Sequence, residues 1–220
     1  MDDIGIKILE FYAQLDGDDN HRYKSWEHCY TYFSKDEISV DTACLQMAFY
    51  LASWGMYRGS SFLLWKDYLI HKEVVEHLLK NKHLQNLNFI EITDHEIQEI
   101  FNLIFWVKSW YQNNIEFVNG KRKKINVTDT LATKIILGAL GCVPAYDRYF
   151  IDGIRNKGLS YSGLKPKNFS TITDFYKENH RSFSCANNEI MRKSSVNYPP
   201  MKLIDMYFWE IGYELDKKTS

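Results

Sequence analysis

The segment GALGCVPAYDRYF, residues 138–150, combines helix-ending glycines, a proline and an Asp-Arg pair. Glycine is common just past the end of a helix, and proline suits the first helical position because its φ is fixed near the helical value. The pattern predicts one helix that begins at residues 128–129 and ends at Gly141, and a second that begins at Pro144 and ends at Gly158. The segment is either the plain turn of this helix-turn-helix unit or a catalytic or phosphate-binding hairpin.

Most of the remaining chain follows the helical period. Apolar residues recur every three or four positions in residues 94–115, as expected of a helix that buries one face. The same spacing occurs in residues 40–55 and again after Pro200. Further helices are predicted over residues 3–15, 22–34, 66–80, 130–140, 145–156 and 171–179.

Two segments depart from the helical period. Residues 115–127 contain the turn pair Asn119-Gly120 between short β-favouring runs, which predicts a β-hairpin. Residues 156–173 are rich in Gly, Ser and Lys, which predicts an irregular loop that is either a functional rim or a connector. The sequence therefore predicts an all-α, single-domain multi-helix bundle over residues 1–220, with one short β-hairpin near 115–127.

The composition is that of a globular protein. Hydrophobic residues make up 45% of the chain and aromatic residues 15%, which is ample material for one core. The N-terminus is acidic and amphipathic, and no apolar run reaches the roughly 18 residues that a membrane-spanning helix needs. We therefore expect a cytoplasmic protein with no membrane contact.

The cysteines and the known cofactor motifs give no sign of a bound group. Cys29, Cys44, Cys142 and Cys185 lie far apart, without a C-x-x-C pair. This spacing predicts reduced thiols, no structural metal and no disulfide framework. No P-loop, Rossmann fingerprint or G-x-S-x-G elbow occurs, so we predict no cofactor and leave open whether the protein is an enzyme.

Charge is distributed unevenly along the chain, although the formal net charge is −1. Residues 118–193 carry 14 Lys and Arg against 6 Asp and Glu, whereas residues 1–117 carry 10 against 18. Two explanations fit: the basic block binds an anionic ligand, or it packs beside the acidic N-terminal part of the same molecule. The four basic residues 121–124 fit a solvated loop better than a binding patch.

The segment LASWGMYRGSSFLLWKDYLIHK, residues 51–72, interrupts a strong helix at Gly55 and Gly59. Such a break can turn backbone amides, Ser60 and the planar guanidinium of Arg58 towards a bound anion. It is also explained by a glycine at a helix end and a serine at the next helix start, with Arg58 paired to a carboxylate.

Two carboxylate-histidine pairs follow, each spaced four residues apart: Asp67 with His71, and Glu73 with His77. A histidine held by a carboxylate can serve acid-base chemistry or bind a metal. Two ligands do not make a metal site, so we expect both to be surface pairs.

The PAYD stretch after a helix and a tight turn resembles the helix-hairpin-helix region of DNA glycosylases and their relatives, over about thirty residues. The resemblance implies a working position for Asp147, with Lys134 and Arg148 near a phosphate. The chain departs from that family at GCVP, where a second glycine is missing and Pro144 lacks a backbone donor.

A second resemblance covers more of the chain, from about residue 40 to residue 157. YLASWGMYRGSSFLLWKDYLIHK together with TKIILGALGCVPAYDRYF looks like an uncharacterised family of bacterial helical proteins. This resemblance implies no particular activity.

Three functions remain open after these observations. The first is a binding or regulatory protein whose polar, aromatic-lined cleft holds a small anionic ligand where the two interrupted helices meet. The second is a nucleic-acid-acting enzyme of DNA-glycosylase-like architecture, and the third is a homodimer formed through aromatic helices. For the first, the candidate ligand-binding residues are Trp54, Tyr57, Arg58, Ser60, Tyr146, Asp147 and Arg148.

Overall fold

A computed structural model describes residues 2–219 and confirms the all-α class. The described chain folds into a multi-helix bundle with one short antiparallel hairpin, β1 Phe117–Val118 and β2 Lys121–Arg122. The helices are α1 Asp3–Asp16, α2 Lys24–Phe33, α3 Val40–Ser53, α4 Lys72–Lys80, α5 Asp94–Asn114, α6 Asp129–Ala139, α7 Arg148–Asn156, α8 Pro166–Ser194 and α9 Pro200–Thr219. Short 3-10 turns occupy Phe62–Trp65, Tyr68–His71 and Lys82–Asn86.

Side-chain caps explain where several helices begin. At α5 the Thr93 hydroxyl accepts a hydrogen bond from the Glu96 amide (3.2 Å), and the Glu96 carboxylate accepts one from the Thr93 amide (2.8 Å). This reciprocal pair satisfies amides that have no partner inside the helix. At α6 the cap is a single bond, in which the Thr128 hydroxyl accepts from the Leu131 amide.

The helix α9 is buried over residues 201–212 and packs against α1, α7 and α8. Its contact with α7 is the most extensive, because two glycines allow the helix backbones to touch. A Cβ atom built on Gly153 would lie 1.9 Å from the Phe208 carbonyl oxygen, and one on Gly212 would lie 2.0 Å from the Tyr149 carbonyl oxygen. Any side chain at either position would therefore force the two helices apart.

The irregular segment is shorter than the predicted loop at 156–173. The helix α8 begins at Pro166, whose fixed φ suits a first-turn position, and runs to Ser194 rather than over 171–179 alone. Its buried face carries Phe169, Ile172, Tyr176, Phe183 and Ile190 among others at helical spacing. Burial of this face extends the helix well beyond the predicted segment.

The predicted helix over 66–80 begins later than expected. Residues 62–71 form two 3-10 turns, and α4 starts at Lys72. Ser61 and Asp67 cap these turns by accepting hydrogen bonds from the amides of Leu63 and Leu69. Such local bonds compete with a continuous α-helix, so the chain turns here instead.

The prediction that a helix begins at Pro144 is wrong, because α7 begins at Arg148 with Asp147 as its N-cap. The preceding residues 142–146 are buried and irregular. Their backbone groups bond to side chains: the Ala145 amide donates to Asp205 (2.9 Å), and the Tyr146 amide donates to Thr133 (3.0 Å). A buried segment outside regular structure needs such partners for its polar groups.

The charge asymmetry of the sequence is partly resolved inside the molecule. Lys157 pairs with Asp3, and Lys193 pairs with Asp16, each at 2.7 Å. Part of the basic block therefore does pack beside the acidic N-terminal helix. No helix within residues 2–219 combines the length and the apolar character needed to cross a membrane.

Candidate anion-binding cleft

A cleft of about 420 Å³ opens where the turn after α3 faces the start of α7. It brings together four of the residues predicted from the sequence as ligand-binding: Trp54, Arg58, Asp147 and Arg148. The first two and the last two come from parts of the chain more than 85 positions apart. We call it the arginine cleft, and its other lining residues are Arg22, Gly55, Met56, Thr130, Lys134, Tyr149 and Trp209.

Four neighbouring side chains hold the ring of Trp54 in place. It stacks on Tyr23 with 4.5 Å between ring centroids, and Trp209 meets it edge-on at 6.1 Å. The ammonium groups of Lys134 and Lys202 lie over the same ring, at 4.8 and 5.4 Å from its centroid. The π system is thus engaged within the protein, and Trp54 offers a ligand mainly a rigid apolar surface.

Lys134 forms a nearly buried ion pair with Asp147. The Lys134 Nζ atom lies 2.8 Å from Asp147 Oδ2, and only 3% of the Lys134 side chain is exposed. The other oxygen, Oδ1, accepts a hydrogen bond from the Phe150 amide (3.1 Å) and so caps α7. Both carboxylate oxygens therefore have structural partners.

A second buried pair lies behind the Trp54 ring. Lys202 Nζ lies 2.9 Å from Asp205 Oδ2, and both side chains are at most 4% exposed. Burial lowers the pKa of Lys202, and the nearby Lys134 charge acts in the same direction, while Asp205 opposes the change. Asp205 also holds the Ala145 amide, so this pair fixes the backbone that carries Asp147.

Two further cations of the cleft have partners inside the protein. Arg148 pairs with Asp216 (2.8 Å), which also accepts a hydrogen bond from the Tyr149 hydroxyl (3.0 Å). Arg22 donates to the Ser53 carbonyl oxygen at the end of α3 (3.1 Å). These two arginines border the cleft while holding its walls together.

Arg58 differs from the other cations of the cleft. Its side chain is exposed, and its guanidinium forms no hydrogen bond or ion pair with any residue in 2–219. It folds back over Gly55, where an added Cβ would lie 3.0 Å from Arg58 Nε. Because Gly55 also has a φ of +75°, the turn requires glycine both for its backbone and for the position of this guanidinium.

The remaining sequence-predicted residues do not face this cleft. Tyr57 directs its hydroxyl to His71 Nε2 (2.8 Å), and Ser60 lines a neighbouring hollow. Tyr146 is 1% exposed and packs against Phe150 and Tyr161 in the core. These aromatic side chains are drawn inward because their burial removes a large apolar area from water.

The prediction that His71 belongs to a surface pair is also wrong. His71 is fully buried, and its Nδ1 atom lies 2.6 Å from the Tyr111 hydroxyl. Both ring nitrogens therefore have tyrosine partners. Burial lowers the pKa of His71 to about 3, so the ring is neutral at physiological pH.

Sequence reasoning missed Arg22, Tyr149 and Trp209 as cleft residues. Trp209 lies within the apolar pattern of α9, where it is indistinguishable from a core residue. Tyr149 directly follows the Asp-Arg pair, so its proximity in the chain was the available signal. Arg22 carried no such signal, because its place in the cleft depends on the packing of α2 against α3.

The lining of the cleft has an excess of positive charge. Its four cationic residues, Arg22, Arg58, Lys134 and Arg148, are balanced in part by two carboxylates, Asp147 in the lining and Asp216, which pairs with Arg148. Such a lining favours an anion, and a guanidinium without an internal partner offers it directed hydrogen bonds.

No protein-family model, curated protein or solved structure matches this chain. The two resemblances stated from its sequence therefore stay predictions.

Proposed function

We propose that this is a cytoplasmic helical binding or regulatory protein that holds a small anionic ligand in the arginine cleft. The observation that carries the proposal is Arg58, a guanidinium without an internal partner at the edge of a cleft rich in cations. Its planar donors suit the oxygens of a phosphate or a carboxylate. Arg148 and Arg22 add positive potential without having to leave their own partners.

The packed aromatic side chains that line the cleft also support a binding function. Trp54, Trp209 and Tyr149 form a continuous aromatic wall, with 6.1 and 5.1 Å between successive centroids. A preformed wall lowers the entropy that a bound ligand and its site would otherwise lose.

Titration calorimetry with inorganic phosphate at low ionic strength tests the proposal. We expect R58Q to weaken phosphate binding by roughly tenfold or more, the effect of a lost hydrogen bond to a charged group. The matched control is R181Q, which removes one exposed positive charge from α8, where Arg181 has no partner in the described chain. Binding that R58Q leaves unchanged, or that R181Q weakens equally, would refute the proposal.

A second candidate function is a nucleic-acid-acting enzyme of glycosylase-like architecture. It is favoured by the segment that carries the resemblance, because its residues Lys134, Asp147 and Arg148 all line the cleft. Fluorescence anisotropy with a labelled oligonucleotide tests it, because affinity for nucleic acid falls steeply as salt rises. Absence of binding at low salt would remove this candidate.

A further inference from the structure

A second hollow, of about 460 Å³, adjoins the arginine cleft. The two share the turn residues Gly55, Met56 and Arg58, so one guanidinium borders both. We call the second hollow the lysine hollow, because Lys123 and Lys124 line it together with Ser60. Its described lining contains no carboxylate.

The positions of these lysines follow from the local backbone. After the β1-β2 hairpin, the Lys123 amide donates to the Glu116 carbonyl oxygen (2.9 Å), which anchors the chain. In the next four residues exposed and buried side chains alternate: Lys124 and Asn126 are exposed, and Ile125 and Val127 are buried. This alternation is typical of extended chain, and it directs Lys124 and Asn126 away from the core.

The two hollows differ in how many of their cationic side chains form ion pairs within the protein. In the arginine cleft, Lys134 and Arg148 are paired with Asp147 and Asp216. Lys123 and Lys124 form no ion pair within residues 2–219, and neither does Arg58. Arg22 also lacks an acidic partner within these residues, but it borders only the arginine cleft and donates to the Ser53 carbonyl oxygen. The three lining cations with neither an ion pair nor a side-chain hydrogen bond in the described chain, Arg58, Lys123 and Lys124, all border the lysine hollow.

The ligand chemistry follows from this pattern. The Trp54 ring is already covered by Tyr23 and by two ammonium groups, so a ligand gains little from stacking a flat ring on it. What the two hollows offer instead is the Arg58 guanidinium at their shared border, with Lys123 and Lys124 in one of them. A ligand with several anionic groups in line would meet cations at more than one point along its length.

We infer that the lysine hollow is a second anion subsite, and that the ligand is a linear chain of two or more phosphate groups lying across Arg58. This inference rests on the proposed function, because it extends the same site. Arg58 would contact the phosphate shared by the two hollows, and Lys123 and Lys124 would contact the next group along the chain.

Calorimetric titration with inorganic phosphate, pyrophosphate and tripolyphosphate tests the inference at constant ionic strength. We expect tripolyphosphate to bind roughly tenfold or more tightly than phosphate, since each added charged contact contributes. The double variant K123Q/K124Q should remove that gain and leave phosphate binding within about twofold, because the phosphate contact belongs to Arg58. Both lysines are exposed, so circular dichroism should show an unchanged fold.

The matched control is K165Q/K167Q, which removes two exposed lysines at the start of α8, outside both hollows. It should leave tripolyphosphate binding unchanged. An equal loss in this control would mean that only overall charge matters, which overturns the inference.

The remaining outcomes separate the two proposals. If none of the three anions binds, the proposed function itself fails. If phosphate binds through Arg58 but chain length and K123Q/K124Q have no effect, the second subsite is wrong and the proposed function stands. Binding of a single-stranded oligonucleotide without binding of tripolyphosphate would also overturn the inference and favour nucleic acid.

Discussion

Lys134 and Asp147 form one ion pair in which the carboxylate serves two helices at once. Oδ2 lies 2.8 Å from the ammonium group on α6, and Oδ1 accepts the Phe150 amide at the start of α7. The Asp147 side chain that the sequence suggested as a ligand contact is therefore occupied by structural bonds. Within the arginine cleft, the charge without an internal partner among the described residues is that of Arg58.

The pair makes a prediction about stability. D147S keeps an N-cap hydroxyl but leaves Lys134 buried without a counter-ion, which should lower the free energy of unfolding by about 3 to 5 kcal/mol. The double variant K134M/D147S removes the stranded charge and should recover most of this loss. Urea unfolding measures both, and a double variant no more stable than D147S would contradict the interpretation.

The contact between α7 and α9 predicts a strict requirement for glycine. G153A should destabilise the protein by about 3 kcal/mol, because the new Cβ meets the Phe208 backbone and overpacking of this kind outweighs any gain in helix propensity. G17A is the control, since Gly17 has a φ of −76° and room for a methyl group. Thermal unfolding should show a lower Tm for G153A only.

The buried histidine predicts a pH dependence of stability. In the unfolded chain His71 has an ordinary pKa near 6.5, whereas in the folded protein its pKa is lowered to about 3. The folded state therefore excludes a proton that the unfolded state binds in this window. The stabilisation is fully present above pH 6.5 and is lost progressively as the pH falls towards 3.

The variant H71Q isolates this effect, because glutamine offers hydrogen bonds but does not titrate. Between pH 7 and pH 4.5 the free energy of unfolding should fall by about 2 to 3 kcal/mol more in the wild type than in H71Q. Other acidic groups titrate in both proteins and cancel in the comparison. Parallel pH profiles would mean that His71 does not contribute.

Thiol reactivity provides a further prediction. Cys185 on α8 is exposed, whereas Cys29, Cys44 and Cys142 are buried. Burial raises the pKa of Cys142 to about 12 and that of Cys44 to about 11, so neither forms the reactive thiolate readily. A thiol-specific chromogenic reagent should modify Cys185 alone in the native protein, and C185S should abolish that reaction. Fast modification of Cys142 would contradict the structure.

Much of the fold was predictable because the residues that start and end helices and turns lie next to them in the sequence. The helix over residues 94–115 and the hairpin turn at Asn119-Gly120 depend on neighbours in the chain, and both predictions are confirmed. The failures occur where distant contacts decide. Between Pro144 and Arg148 the chain stays irregular: Asp205, sixty residues away, accepts the Ala145 amide, Thr133 accepts the Tyr146 amide, and Asp147 is extended as the N-cap of α7.

The site shows the same division between local and distant causes. The two interruptions at Gly55 and at the Asp-Arg pair identified both walls of the arginine cleft, because breaks in strong helices are visible in sequence. Which side chains face the ligand was not visible. Tyr57 turns to His71, and the partners of Arg148 and Lys134 are known only once the helices pack.

The backbone contact at Gly153 and Gly212 has a consequence for how the cleft can change shape. Helices that touch along their main chains cannot slide or turn past one another without breaking the contact. Tyr149 and Trp209, which line the cleft from α7 and α9, must therefore move as one rigid wall. The exposed residues 58–60 are not part of this contact. If the cleft changes shape on binding, we therefore expect Arg58 to move towards Tyr149 and Trp209, while these two keep their relative positions.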